Sequence, residues 1–187
     1  MLRKNKELWL SLVAALVITG IYGFVALELR AVPAASGFFG HLLGVLGFIL
    51  MLMTEVLYSL RKRSRMARWG RMADWLQFHI FTGLVGPYMV LLHTSWKFNG
   101  LAGAVTLLTV IIVVSGFIGR YIYTRIPRTM DGLELGDYAS PQKEAALARA
   151  RLLLSLWHAI HIPIGMALFV AAFIHIGAAL YYATLLH

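Results

Sequence analysis

Cysteine is absent from the 187 residues. Its absence removes disulfides, iron–sulfur clusters, thiolate haem ligands, covalent c-type haem attachment and a cysteine-based zinc site. It carries no information on redox compartment. Charge is also scarce. Charged residues make up 13% of the chain and hydrophobic ones 60%, against roughly 25% and 45–50% in soluble proteins. Acidic residues are the rarer sign, 8 against 17 Lys and Arg. There is no nucleotide-binding fingerprint of the G-x-G-x-x-G type, no solenoid repeat and no low-complexity linker. The net charge of +9 comes with no nucleic-acid recognition motif, so nucleic-acid binding is not expected.

What the chain has instead is apolar length. Five stretches stand out, at about 8–29, 38–60, 75–96, 101–123 and 152–186. Each reaches the roughly 20 residues that a membrane crossing needs. In lipid they must be helices, because an open sheet would leave backbone groups unsatisfied. The expected fold is therefore all-α: an integral membrane bundle of five transmembrane helices, forming one domain over residues 1–187. The fifth stretch is too long to lie wholly in the membrane. Its start, with Glu144, Arg149 and Arg151, reads as a solvent-side helix running into the span. The first stretch follows a basic start, Arg3-Lys4-Asn5-Lys6. Its apolar run exceeds the roughly 7–15 residues of a signal peptide, and it reads as a retained anchor.

The basic residues orient the bundle. With five spans, the N-terminus and the loops at 61–74 and 124–151 share one side, which carries fifteen of the seventeen Lys and Arg. Only Arg30 and Lys97 fall on the other. The positive-inside rule then places the N-terminus in the cytoplasm and the C-terminus outside. A bacterial inner membrane is the expected location. Most of the basic excess is thereby topology, with contact to lipid headgroups.

Against this background four histidines form a pattern. His79 and His93 make one His-x13-His pair, and His161 and His175 make another. The second pair repeats the first at one constant offset, eighty-two positions further along the chain. Ionisable side chains inside spans are expensive and usually functional. The interval within a pair is just under four helical turns, about 21 Å, so both members share a face at two depths. The third and fifth spans run the same way, because one span lies between them. Equal offsets then mean equal depths: His79 opposite His161, and His93 opposite His175. Two stacked bis-histidine sites of this kind suit two b-type haems, held in a four-helix core with one imidazole on each axial face.

The neighbourhood extends the pattern. Gly83 and Gly165 each follow a histidine by four positions, and Gly86 lies between the two histidines of its helix. Small residues there would let a flat macrocycle approach the backbone. Pro87 and Pro163 interrupt the two histidine helices, where a kink is expected. His158 competes with His161 in the segment WHAIHIP. Only His161 keeps the His-x13-His spacing, which leaves His158 to bond a propionate or line a quinone pocket. His41 reads as an interfacial residue. Inner propionate partners are sought among Arg68, Arg71, Arg120 and Tyr123, and outer ones at Trp96 and Lys97. Arg120 stands out because it closes an apolar run, although a snorkelling anchor would look the same. Glu55 is expected to pair with Arg61 or Arg63 near the inner edge, with proton relay to a quinone as the alternative. The polar segment from Arg125 to Ala145 is the candidate surface for a soluble partner.

The basic loop before the third span, and the His-x13-His pairs on the third and fifth spans, resemble two families. One is the ferric-reductase/NADPH-oxidase type transmembrane domain. The other is the cytochrome b subunit of quinol–cytochrome c oxidoreductases. Both resemblances imply His79, His93, His161 and His175 as axial ligands. The chain departs from the first in lacking a sixth span and a nucleotide domain, and from the second in lacking its long quinone-site loops. The expectation is transmembrane electron transfer through two b haems, as the membrane subunit of a respiratory redox complex. Electrons would be exchanged with partner subunits or the quinone pool. The competing expectation is a reductase-like or oxidase-like domain that passes electrons to an outer acceptor.

Overall fold

The computed structural model describes residues 5–63, 70–126 and 141–185. Five helices follow in order: α1 Lys6–Leu29, α2 Phe38–Arg63, α3 Met72–His93, α4 Gly100–Tyr123 and α5 Pro141–Leu185. No strand occurs among the described residues. All five helices are long and apolar enough to cross a membrane. The first four have 22 to 26 residues, about 33–39 Å at 1.5 Å per residue. The fifth has 45 residues, about 68 Å, more than twice the roughly 30 Å of hydrocarbon. Its first turns, over Glu144, Arg149 and Arg151, are helical and continuous with the apolar part. Residues 141–151, expected in the connecting loop, thus belong to α5. Large apolar side chains such as Leu16, Phe24, Phe38, Met166 and Val170 are exposed along the helices, as a lipid-facing surface requires.

The helices fall into two units, α1–α3 and α4–α5. In the first, α3 packs against both α1 and α2. Its core joins Leu43 of α2 to Val85, Met89 and Leu92 of α3, with Ala14, Ile18 and Tyr22 of α1 against them. The two helices α2 and α3 approach closely at a pair of glycines. A Cβ on Gly47 would stand 2.8 Å from the Gly86 carbonyl oxygen, and one on Gly86 would stand 2.9 Å from that of Gly47. Hydroxyl groups bury themselves without disrupting the helices. Thr54, Thr106 and Thr109 each donate to the carbonyl four positions back, at 2.8 Å, the local solution that lets threonine sit inside an apolar helix. α1 ends where Arg30 turns left-handed (φ 50°) and its N–H reaches the carbonyls of Ala26 and Leu27.

The third span ends earlier than the apolar run suggests. Ser95 and Trp96 have positive φ, 51° and 63°. The helix stops at His93, and Trp96 stands exposed in the turn to α4. Two left-handed non-glycine residues in a row cannot continue a right-handed helix. In the second unit α4 packs against α5. Ile126, Leu147, Ala150 and Leu154 form its core at one end, with Ile122, Tyr123 and Trp157 against them.

Candidate functional site

Each predicted pair draws one histidine from each unit: His79 and His93 belong to α3, His161 and His175 to α5. Within the first unit both α3 histidines turn to α2. The His79 Nδ1 lies 3.2 Å from the Thr54 carbonyl oxygen, and the His93 Nδ1 lies 2.8 Å from that of Gly40. Carbonyl oxygens only accept, so each Nδ1 carries the proton, and in a neutral ring the lone pair is at Nε2. The two acceptors, Gly40 and Thr54, are separated in sequence by the same interval as His79 and His93. Antiparallel helices of equal pitch carry that spacing from α3 to α2.

Local packing explains how the rings reach the backbone. Gly44 lies under His93, and a Cβ there would meet the ring at 3.0 Å. The absent side chain opens the way to the Gly40 carbonyl. His79 packs against Tyr58, with ring centroids 4.7 Å apart. The Thr54 hydroxyl shares its one proton between the Leu50 carbonyl and the Thr82 Oγ1, the latter at 2.6 Å, and Thr82, 1% exposed, donates on to the Phe78 carbonyl at 2.9 Å. One residue of α2 thus holds α3 by its side chain and the imidazole by its backbone.

In the second unit the His161 Nδ1 lies 3.0 Å from the Ser115 Oγ. Its ring stacks on Trp157 at 4.4 Å with an interplanar angle of 30°. His158 touches the same indole at 4.8 Å, tilted by 58°. His175 is half-buried on α5 and has no ring hydrogen bond among the described residues. His41 is exposed, bonds the Gly37 carbonyl at 3.2 Å and lies 6.3 Å from the His93 ring.

The other expected residues are placed as follows. Gly83 and Gly165 make ordinary contact with the facing helix of their own unit, 3.5 Å to Thr54 and 3.9 Å to Ile112 for an added Cβ. Gly86 sits at the α2–α3 crossing, so helix packing accounts for its size. Arg71 caps α3 and is paired with Asp74 at 2.9 and 3.1 Å. Arg120 is half-buried in the last turn of α4. Lys97 and Trp96 are exposed. Glu55 accepts from Ser59 at 3.3 Å. Arg61 donates to the Gly70 carbonyl at 3.1 Å; six positions from Glu55, it leaves the helix on a different face. Arg68, the 127–140 part of the polar loop, and His187 lie outside the described residues, as does the side chain of Arg63.

An open recess of about 300 Å³ lies between α1 and α3, lined by Lys6, Glu7, Leu10, Asp74, Gln77, Phe78 and Phe81. No group of three or more His, Cys, Asp or Glu suited to a metal ion occurs among the described residues. Thr54, Ser115 and Trp157 are the site residues that sequence reasoning passed over. Only the interval between Gly40 and Thr54, equal to that within each histidine pair, could have pointed to α2. Comparisons with protein-family models, with curated proteins and with solved structures find no match to this chain.

Proposed function

We propose that the chain carries electrons across a membrane through two non-covalent b-type haems, ligated by His79 with His161 and by His93 with His175. The observation that carries this reading is the anchoring of both α3 imidazoles by Nδ1 on α2 carbonyls that repeat the histidine interval. Metal-bound histidines nearly always donate their other ring N–H in this way, which fixes the tautomer and raises the basicity of the ligating nitrogen. The donor chemistry fits: imidazoles on apolar helices, those of α3 held by Nδ1, at a spacing repeated in α5. Haem held by these imidazoles would supply a one-electron centre suited to electron transfer rather than oxygen binding.

The residues divide the work. The α2 carbonyls orient His79 and His93, Ser115 and Trp157 orient His161, and the surrounding apolar side chains keep water from the imidazoles. The quinone pool is the proposed electron partner, with the chain acting as the membrane subunit of a respiratory redox complex. The α1–α3 recess supports the quinone assignment. It sets the carboxylates Glu7 and Asp74 and the Gln77 amide beside Phe78 and Phe81, a mix of polar and apolar surface that an amphiphilic ring can occupy. The proposed orientation, N-terminus inside a bacterial inner membrane, rests on the fifteen-to-two charge bias.

A reduced-minus-oxidised spectrum of the purified chain tests the proposal. A b-type signal is expected, cut by about half in His93→Ala and in His175→Ala. A spectrum without that signal, or one unchanged in both variants, contradicts it.

A further inference from the structure

Ser115, Gly119 and Trp157 form one device around His161. Ser115 and Gly119 are one turn apart on α4, and Trp157 and His161 one turn apart on α5. The Trp157 indole N–H donates to Ser115, 2.7 Å to the carbonyl oxygen and 3.1 Å to Oγ. The same Oγ meets the His161 Nδ1 at 3.0 Å. The indole lies over Gly119 so closely that a Cβ there would fall 2.2 Å from two of its ring carbons. Above it lies the His161 imidazole, nearly parallel. Gly119 leaves room for the indole, the indole supports the imidazole face, and one hydroxyl ties both rings. His158 meets the same indole with its ring tilted rather than stacked.

We infer that Ser115, Gly119 and Trp157 are positioning residues that select His161 over His158 as the inner haem ligand and set the electron-donating strength of its imidazole. The inference rests on the haem assignment above. With Nε2 ligating, the His161 Nδ1 carries the proton and the Ser115 Oγ accepts it. An imidazole hydrogen-bonded at its distal nitrogen is the stronger donor and favours the oxidised iron. The two α3 histidines use backbone carbonyls, which no side-chain substitution removes. The His161 acceptor is a side chain, so it can be deleted alone.

The test uses the full chain purified with its haems, read by redox titration and by low-temperature EPR. Ser115→Ala is expected to shift one of the two midpoint potentials upward and leave the other in place, and Ser115→Thr to restore it. Gly119→Ala is expected to displace the indole and change the EPR signal of the same haem only. His161→Ala should lose one haem and His158→Ala none. If Ser115→Ala and Gly119→Ala both leave the two potentials and both EPR signals unchanged while haem is present, the inference is overturned. It is equally overturned if His158→Ala loses the inner haem and His161→Ala retains it. A wild-type chain that binds no haem would instead overturn the assignment on which the inference rests.

Discussion

At the scale of single residues, the imidazoles are held mostly by groups that carry no sequence signature. His79 and His93 are conspicuous in apolar segments, but the Thr54 and Gly40 carbonyls that receive them belong to the backbone. Identifying them requires knowing which helices pair and in what register. The glycines were visible for a different reason than their packing gives. Gly86 is small because Gly47 faces it, and Gly44 because His93 lies on it. Two substitutions separate backbone from side-chain anchoring. Thr54→Ala removes the hydroxyl bond to Thr82 but keeps the carbonyl that His79 uses. A loss of about 1 kcal/mol is expected, seen as a lower melting temperature in detergent, with haem content unchanged. Gly44→Ala adds a Cβ 3.0 Å from the His93 ring. It is expected to tilt that imidazole and change one haem's EPR signal while the other stays as it was.

At the scale of elements, the spans were readable from composition alone, because a continuous apolar run of about 20 residues satisfies its backbone in lipid as a helix. Boundaries were less readable. Trp96 looks like the end of an apolar helix, and only the left-handed backbone at Ser95 and Trp96 takes it out of α3. Ordinary side chains give no warning of such a turn. The α2–α3 contact was likewise hidden, since membrane glycines are common and their partners are set by register. That contact predicts a sharp penalty. In Gly86→Leu the new side chain meets the Gly47 backbone and Met51, an overpacking that costs about 1–3 kcal/mol. Thermal unfolding in detergent should show the loss. Gly116→Leu, where an added Cβ meets nothing within 4 Å, should not.

At the scale of the whole molecule, the all-α architecture of five apolar helices is the one that the composition predicts, while the histidine offset and the charge bias are properties of the sequence. The proposed pairing of α3 with α5 depends on both helices running the same way. The absence of cysteine makes the orientation directly measurable. A single cysteine replacing exposed Lys97 should react with an impermeant maleimide on intact cells. One replacing exposed Lys62 should react only after permeabilisation, and the reverse pattern would contradict the proposed topology.

Haem stoichiometry in the purified chain and its four single variants His79→Ala, His93→Ala, His161→Ala and His175→Ala bears most directly on the di-haem proposal. The expected result is two b haems per wild-type chain and one in each variant. His79→Ala and His161→Ala should lose the same spectral component, and His93→Ala and His175→Ala the other. Contradiction would come from a wild-type chain without haem, or from a histidine whose loss leaves both components intact.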